Sequence, residues 1–303
     1  MAQLSFPLID LHRKSNRQFI EWLGREGYLN LRRDCYNCGG TLQLAFTTSR
    51  ATDNYQLKCP SCKHRESIRS DSIFALFHTP LVSLMRLAVL FANQTPATHA
   101  SNMLDIDHKT VSAFYQLMRE RMSIALDIDP ISFSSNDVVE IDEMIIEALR
   151  GEEPEGGRTT GWIFGIVSRS TDEVHLEIIP NRRAETLVQV MMQHVAPNAI
   201  VCADSWASYT PLASRYTLRT IVKGRGGMRY LDRNLGIVVH TGTIEGVWSQ
   251  LRAVLHVSRG FPAHYVPLLL AEFMFRKAGR DIFELMKILS AFNKSGRFTL
   301  GSG

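Results

Sequence analysis

Two sets of side chains in this sequence have the types and spacing for chemistry. Cys35 and Cys38, then Cys59 and Cys62, form two C-x2-C pairs with twenty residues between them. Thiolates two residues apart on a tight turn can face one ion, and two such turns close a tetrahedron around Zn²⁺. Gly39 and Gly40 follow the first pair, where the chain must reverse. Leu42, Leu44 and Phe46, then Tyr55 and Leu57, alternate as short strands between the two knuckles. That is the layout of a zinc ribbon. Two disulfides are the competing arrangement, and they belong to chains that carry a secretory signal, which the first residues of this one lack. Cys202, alone in the apolar run NAIVCAD, reads as a core residue.

The second set is acidic. Asp142 lies in the middle of the strand-like run VVEIDEMIIEA, where a core strand expects an apolar residue. Asp204 ends another apolar run, Asn198–Ala203, and Glu245 opens an amphipathic helix in HTGTIEGVWSQLR. Ile244, Val247, Trp248, Leu251, Val254 and Leu255 make one face of that helix. Glu245 lies beside this face, and a carboxylate drawn away from water needs a partner. Three converging acids would supply hard oxygen ligands for Mg²⁺ or Mn²⁺. Two such ions clamp the attacking and leaving oxygens of a phosphodiester displacement. Separately, Asp204 reads equally well as the cap of a helix at SWASY, and Glu245 as a first-turn acid favoured by the helix dipole.

The elements that must position these residues are legible in outline. The chain has 303 residues, 45% hydrophobic and 21% charged, enough for more than one folded domain. No apolar run reaches the length of a membrane span. After residues 67–77 comes an apolar helix near 81–93, then a short helix marked by Ala97, Ala100 and Met103. A turn at 104–107 leads to a second helix with Val111, Phe114, Leu117 and Met118 on one face and Asp107 as its cap. This is a helix-turn-helix pattern whose second helix offers Lys109, Ser112, Ala113 and Gln116 to a DNA groove. Any helical hairpin in a bundle gives a similar pattern.

From residue 138 onward the texture changes to an α/β alternation, with strands at 161–169 and 173–180, a helix at 184–194 and the strand ending at Asp204. GEEPEGGRTT reads as an exposed acidic turn between the first two strands. Net charge is only +4, but Arg32–Arg69 holds seven Lys/Arg against three Asp/Glu, and Arg215–Arg233 six against one. Such clusters suit a phosphate backbone.

In that order, these residues carry a resemblance. CYNCGG, CPSCKHRESIRSDSIF, VEIDEM, GWIFGIV, VCADSWASY and HTGTIEGVWSQLR resemble the Merlin superfamily of DDE transposases and related bacterial insertion-sequence enzymes. The resemblance implies an RNase H-like core at 134–290 behind a helical segment at 1–33, a zinc ribbon at 34–78 and a helix-turn-helix region at 79–130, with a tail at 291–303. It implies that Asp142, Asp204 and Glu245, 62 and 41 residues apart, are catalytic and hold Mg²⁺ or Mn²⁺. The implied partners are duplex transposon ends, target DNA and further copies of the chain on paired ends. The implied location is a eukaryotic nucleus or a bacterial nucleoid. Gly242 stands where the family carries an amide side chain, and Ser205 where glycine often follows the aspartate.

Lys223, Arg225 and Arg229 in IVKGRGGMRY are candidate DNA contacts, or simply a basic surface loop. His240 reads as a loop brace near the third acid, and Trp206, Tyr209 and Trp248 read as packing. Competing functions are a catalytically silent DNA-binding derivative and an RNase H-like nuclease without strand transfer. The cysteine spacing predicts one Zn²⁺ held by Cys35, Cys38, Cys59 and Cys62. Cys59→Ser is expected to unfold the ribbon, because small metal modules fold by binding. Elemental analysis of freshly purified, reduced protein is the check, and absence of zinc would refute it.

Overall fold

A computed structural model describes residues 15–48, 51–146, 161–222, 229–257 and 263–288. The chain divides into two compact units, 1–118 with 281–303 and 119–280. The acidic turn GEEPEGGRTT, Lys223 and Arg225 lie outside the described residues.

The first unit opens with α1 (Asn16–Arg25), started by a Ser15/Gln18 capping box. The ribbon follows as β1 (Gln43–Phe46), β2 (Tyr55–Lys58) and β3 (Arg65–Ser67), all antiparallel in that order. The third strand was not read from the sequence. Gly39 takes a φ of 72° at the first knuckle, as a chain reversal there requires. Arg33 and Arg69, two of the clustered basic residues, are turned inward. Arg33 pairs with Glu66 at 3.1 Å and Asp71 at 2.9 Å. Arg69 pairs with buried Asp53 at 2.6 Å. Asp53 also accepts the Leu81 N–H at 3.0 Å, the first amide of α2 (Leu81–Ala92), whose own N-cap is Pro80 and offers no side-chain bond. Part of the positive charge is therefore structural.

α3 (Ala97–Leu104) ends at Asp105 in the left-handed region, and α4 (His108–Ile128) begins three residues later. Asp107 accepts the Lys109 and Thr110 amides at 2.9 and 3.2 Å, the cap expected of it. Val111, Phe114, Leu117 and Met118 are buried. In α3 only Ala100 is buried, whereas Met103 is exposed, so its apolar side does not extend along the helix as its sequence suggests.

The second unit is built on β4 (Val138–Ile145), β5 (Trp162–Ser168) and β6 (Val174–Ile179), paired antiparallel in sequence. α5 (Ala184–His194) crosses back to β7 (Ile200–Asp204), which lies parallel to β4 on its other side. A 3-10 helix at Ala207–Ser214 leads to β8 (Thr217–Ile221), parallel to β7. The order β6-β5-β4-β7-β8 gives a five-stranded mixed sheet. β9 (Tyr230–Asp232) and β10 (Ile237–Val239) form a hairpin. α6 (Gly242–Val257) and α7 (Val266–Lys277) follow, and α8 (Ile282–Ile288) belongs to the first unit, with Lys287 over the Tyr28 ring.

Strand alternation assigns the two faces of this sheet. Met144, Ile163, Val167, Val174 and Leu176 form one core with Ile244, Val247, Trp248 and Leu251 of α6 and with Val266, Leu270 and Phe273 of α7. By alternation Glu140 and Asp142 share the face of Met144. Gly165 pairs with Asp142 across the β4–β5 ladder, and a Cβ built there would lie 2.4 Å from Trp248 Cη2 and 3.1 Å from Ile244 Cδ1. The missing side chain is the space the indole fills. Gly165→Ala is expected to lower stability by about 2 kcal/mol through overpacking, measured by thermal melting. An unchanged melting temperature would show that α6 can shift without cost.

Candidate active site

Asp142 and Asp204 come from neighbouring parallel strands. The β4–β7 register runs Val138↔Ile200, Val139↔Val201 and Glu140↔Cys202, so the same offset sets Asp142 abreast of Asp204. Both are half-buried and belong to the face that carries α6. Asp204 ends β7, and its amide neighbour Ser205 donates to Ile221 of β8 at 2.8 Å. The 3-10 helix after it is capped at Trp206 without a side-chain bond, so Asp204 is not the cap that SWASY suggested.

Trp248 Nε1–H donates to Asp142 Oδ2 at 3.1 Å. The indole is therefore more than packing, the role its sequence context indicated: it holds one oxygen of this acid. Glu245 is in the first turn of α6 and exposed, with the Thr241 hydroxyl donating to Oε1 at 3.4 Å. Water reaches it, so its charge is not stranded as a position beside the apolar face suggested. The oxygens of Asp142, Asp204 and Glu245 do not gather within 4.8 Å of one another, unlike the four cysteine sulfurs. Like charges repel at such range, and a two-cation site spreads its ligands over ions about 3.5–4 Å apart. An all-carboxylate donor set fits hard divalent cations.

The residue that organises this region escaped sequence reading. Glu140 is fully buried and accepts from Thr243 N at 2.8 Å, Ile244 N at 3.0 Å and Thr243 Oγ1 at 2.8 Å. These amides open α6, and helix-opening amides have no partner within the helix. Gly242 N–H donates to His240 Nδ1 at 3.1 Å, and Glu245 N–H to the Thr241 carbonyl at 3.1 Å, so every opening amide is satisfied. Arg169 Nε binds Glu140 at 2.6 Å while its two other nitrogens bond the Val238 and His240 carbonyls at 2.6 and 2.8 Å. His240 braces the loop, as read. The signal available in the sequence was E-x-D in VEIDEM, which places Glu140 and Asp142 on one face of a strand; its partners lie about a hundred residues onward.

On the opposite face, Glu143 receives the Tyr209 hydroxyl at 2.7 Å and Arg182 at 3.0 Å. Burial pushes its carboxyl up, and the Tyr209 and Arg182 bonds pull against that. Arg182 in turn lies over both the Trp162 and Trp206 rings, 4.2 and 3.7 Å from their centroids. Tyr209 and Trp206 thus brace the outer side of β4.

In the first unit, the four cysteine sulfurs all fall within 4.8 Å of one another and none is in a disulfide. Cys35 and Cys62 approach to 3.6 Å, and Cys38 and Cys59 to 3.5 Å, near the roughly 3.8 Å edge of a zinc–thiolate tetrahedron. Cys62 is held down to about 6 by the Asn37 side chain and the His64 amide. Lys109, Ala113 and Gln116 lie exposed on α4 with Ser112 half-buried, and Arg229 is exposed before β9.

Residues 136–278, within the second unit, match the family model of the ISXO2-like transposase domain. Among solved structures, the HTLV-2 integrase catalytic core domain in complex with magnesium (trimeric form) is similar at 8% identity and a TM-score of 0.29, over 56% of this chain and 95% of that one. No curated protein matches the chain.

Glu140→Gln keeps the shape of the side chain but turns an acceptor toward a donor and strands Arg169. The expected cost is about 3 kcal/mol or more, as for a buried ion pair broken from one side, read from urea unfolding of the full chain. Adding Arg169→Met should restore part of it. A midpoint equal to the wild type would show that the α6 amides are held by something else.

Proposed function

We propose that this protein is a DDE transposase that binds terminal inverted repeats and carries out metal-dependent cleavage and strand transfer. The observation that carries the reading is the level placement of Asp142 and Asp204 on parallel strands, with the opening turn of α6 anchored over the same face by Glu140. The ISXO2-like match over 136–278 supports the reaction class. Asp142, Asp204 and Glu245 are the residues that would hold the cations. When bound, two Mg²⁺ or Mn²⁺ ions activate the attacking oxygen and stabilise the leaving one.

The chain's own residues then have distinct tasks. Trp248 fixes the orientation of Asp142 through Oδ2. Glu140 and Arg169 anchor the start of the helix that carries Glu245. Thr241 directs a Glu245 oxygen. The zinc ribbon and the α3–α4 pair read the transposon end, with Lys109, Ser112 and Gln116 toward the bases and Lys223, Arg225 and Arg229 on the DNA backbone. Phosphate neutralisation by these residues makes end binding salt-dependent.

The decisive experiment is cleavage of a labelled transposon-end duplex with Mg²⁺ or Mn²⁺, beside a thermal melt of each variant. Glu245→Gln preserves shape and removes the charge that holds a cation, so cutting is expected to fall by at least about a hundredfold. The melting temperature should stay close to wild type, because Glu245 is exposed. Asp142→Asn and Asp204→Asn should act alike, and combining them should add little. Wild-type cutting by Glu245→Gln would remove it from the ligand set. A wild-type chain that binds ends without cutting them would leave a DNA-binding derivative.

A further inference from the structure

A second cluster of ligand atoms lies on the opposite face of the transposase-domain sheet. His175 and Glu177 are two residues apart on the edge strand β6, so both project from one face, while Leu176 between them joins the core under α6 and α7. His194, the last residue of α5, closes the group, and one ligand atom from each lies within 4.8 Å of the others. The two imidazoles are stacked with centroids 3.5 Å apart and 23° between planes.

Geometry fixes which nitrogen of His194 is available. His194 Nδ1 lies 2.9 Å from the Ile131 carbonyl, which can only accept, so Nδ1 carries the proton and Nε2 keeps its lone pair. A metal-binding histidine is commonly oriented in this way, by giving its other N–H to a carbonyl. His175 Nε2 and Glu177 Oε2 are 3.3 Å apart, equal to the edge of about 3.3 Å for a tetrahedron with Zn–N near 2.0–2.1 Å. The His175 side chain is 13% exposed and that of Glu177 39%, which leaves an open side toward solvent.

We propose that His175, Glu177 and His194 form a second metal site for a borderline divalent cation such as Zn²⁺, apart from the ribbon and from the three acids. Two imidazoles and one carboxylate suit Zn²⁺ and its neighbours among the late first-row metals, whereas Mg²⁺ prefers oxygen alone. Three protein ligands leave a fourth position for water or another group. Bound there, the ion ties the sheet's edge strand to the end of α5 and to the segment leading into β4.

The test uses the full chain with its cysteines reduced. Equilibrium dialysis against Zn²⁺ should leave wild type with one more ion per chain than either His175→Gln or Glu177→Gln. Glu177 is the safeguard against misfolding, since its side chain is partly exposed. Co²⁺ taken up at this site should give visible ligand-field bands without the near-ultraviolet thiolate charge-transfer absorption that ribbon binding produces. Added Zn²⁺ should raise the melting temperature of wild type more than that of either variant, as binding to the folded state alone requires. Equal zinc content in wild type and both folded variants would overturn the proposal, as would Co²⁺ uptake seen only with the thiolate band.

Discussion

Glu140 is the point on which the second unit turns. A carboxylate with no exposure is tolerated only when its charge is answered on every side, and here the answer comes from a guanidinium, two backbone amides and a hydroxyl. Those amides are the ones that a helix leaves unpaired at its start, so the same bonds that neutralise Glu140 also fix where α6 begins. Everything that α6 carries follows from that point: Glu245 in its first turn, and Trp248 one turn later over Gly165 and Asp142. The Arg169 fork extends the arrangement to β10 and to the loop before α6, because its remaining nitrogens are spent on two carbonyls there.

The first unit solves the same problem with the same chemistry. Asp53 accepts the first amide of α2 and is held by Arg69, whose other nitrogens bond the Phe77 and Thr79 carbonyls. In both units a buried acid from elsewhere in the chain accepts opening amides of a helix. An arginine completes each arrangement by joining the acid to nearby carbonyls. Arginines that look available for phosphate in a linear count are therefore partly committed to the interior. The positive charge left at the surface is smaller than the sequence totals indicate.

Local signals carried far in this sequence and long-range ones did not. The cysteine spacing foretold the knuckles, alternation foretold β1 and β2, and apolar runs foretold β4 to β7, because each depends on residues close in the chain. The α6 face was legible for the same reason, from Ile244 to Leu251. β8 was missed: TLRTI mixes charge into a strand that is only partly buried, so it shows no clean alternation. The β9–β10 hairpin is hidden in sequence behind a basic, glycine-rich stretch, and α7 carries no motif that marks it. Among the site residues, Asp142 was conspicuous as a charge in an apolar run, whereas Glu140 two positions earlier was the more deeply buried charge. Its partners at Thr243, Ile244 and Arg169 are brought to it only by the folded sheet. Gly165 was invisible for a similar reason, since its significance is the indole opposite and not its own backbone.

The Trp248 bond to Asp142 has an optical consequence. An indole's emission responds to the electric field along its ring, and here the ring N–H points at a carboxylate. Any event that changes the charge at Asp142, whether a proton or a cation arriving, changes that field. The chain has four tryptophans, and this one joins the sheet's central acid directly to a chromophore. The packing that fills the notch above Gly165 thus also supplies an internal reporter, readable by fluorescence without any label.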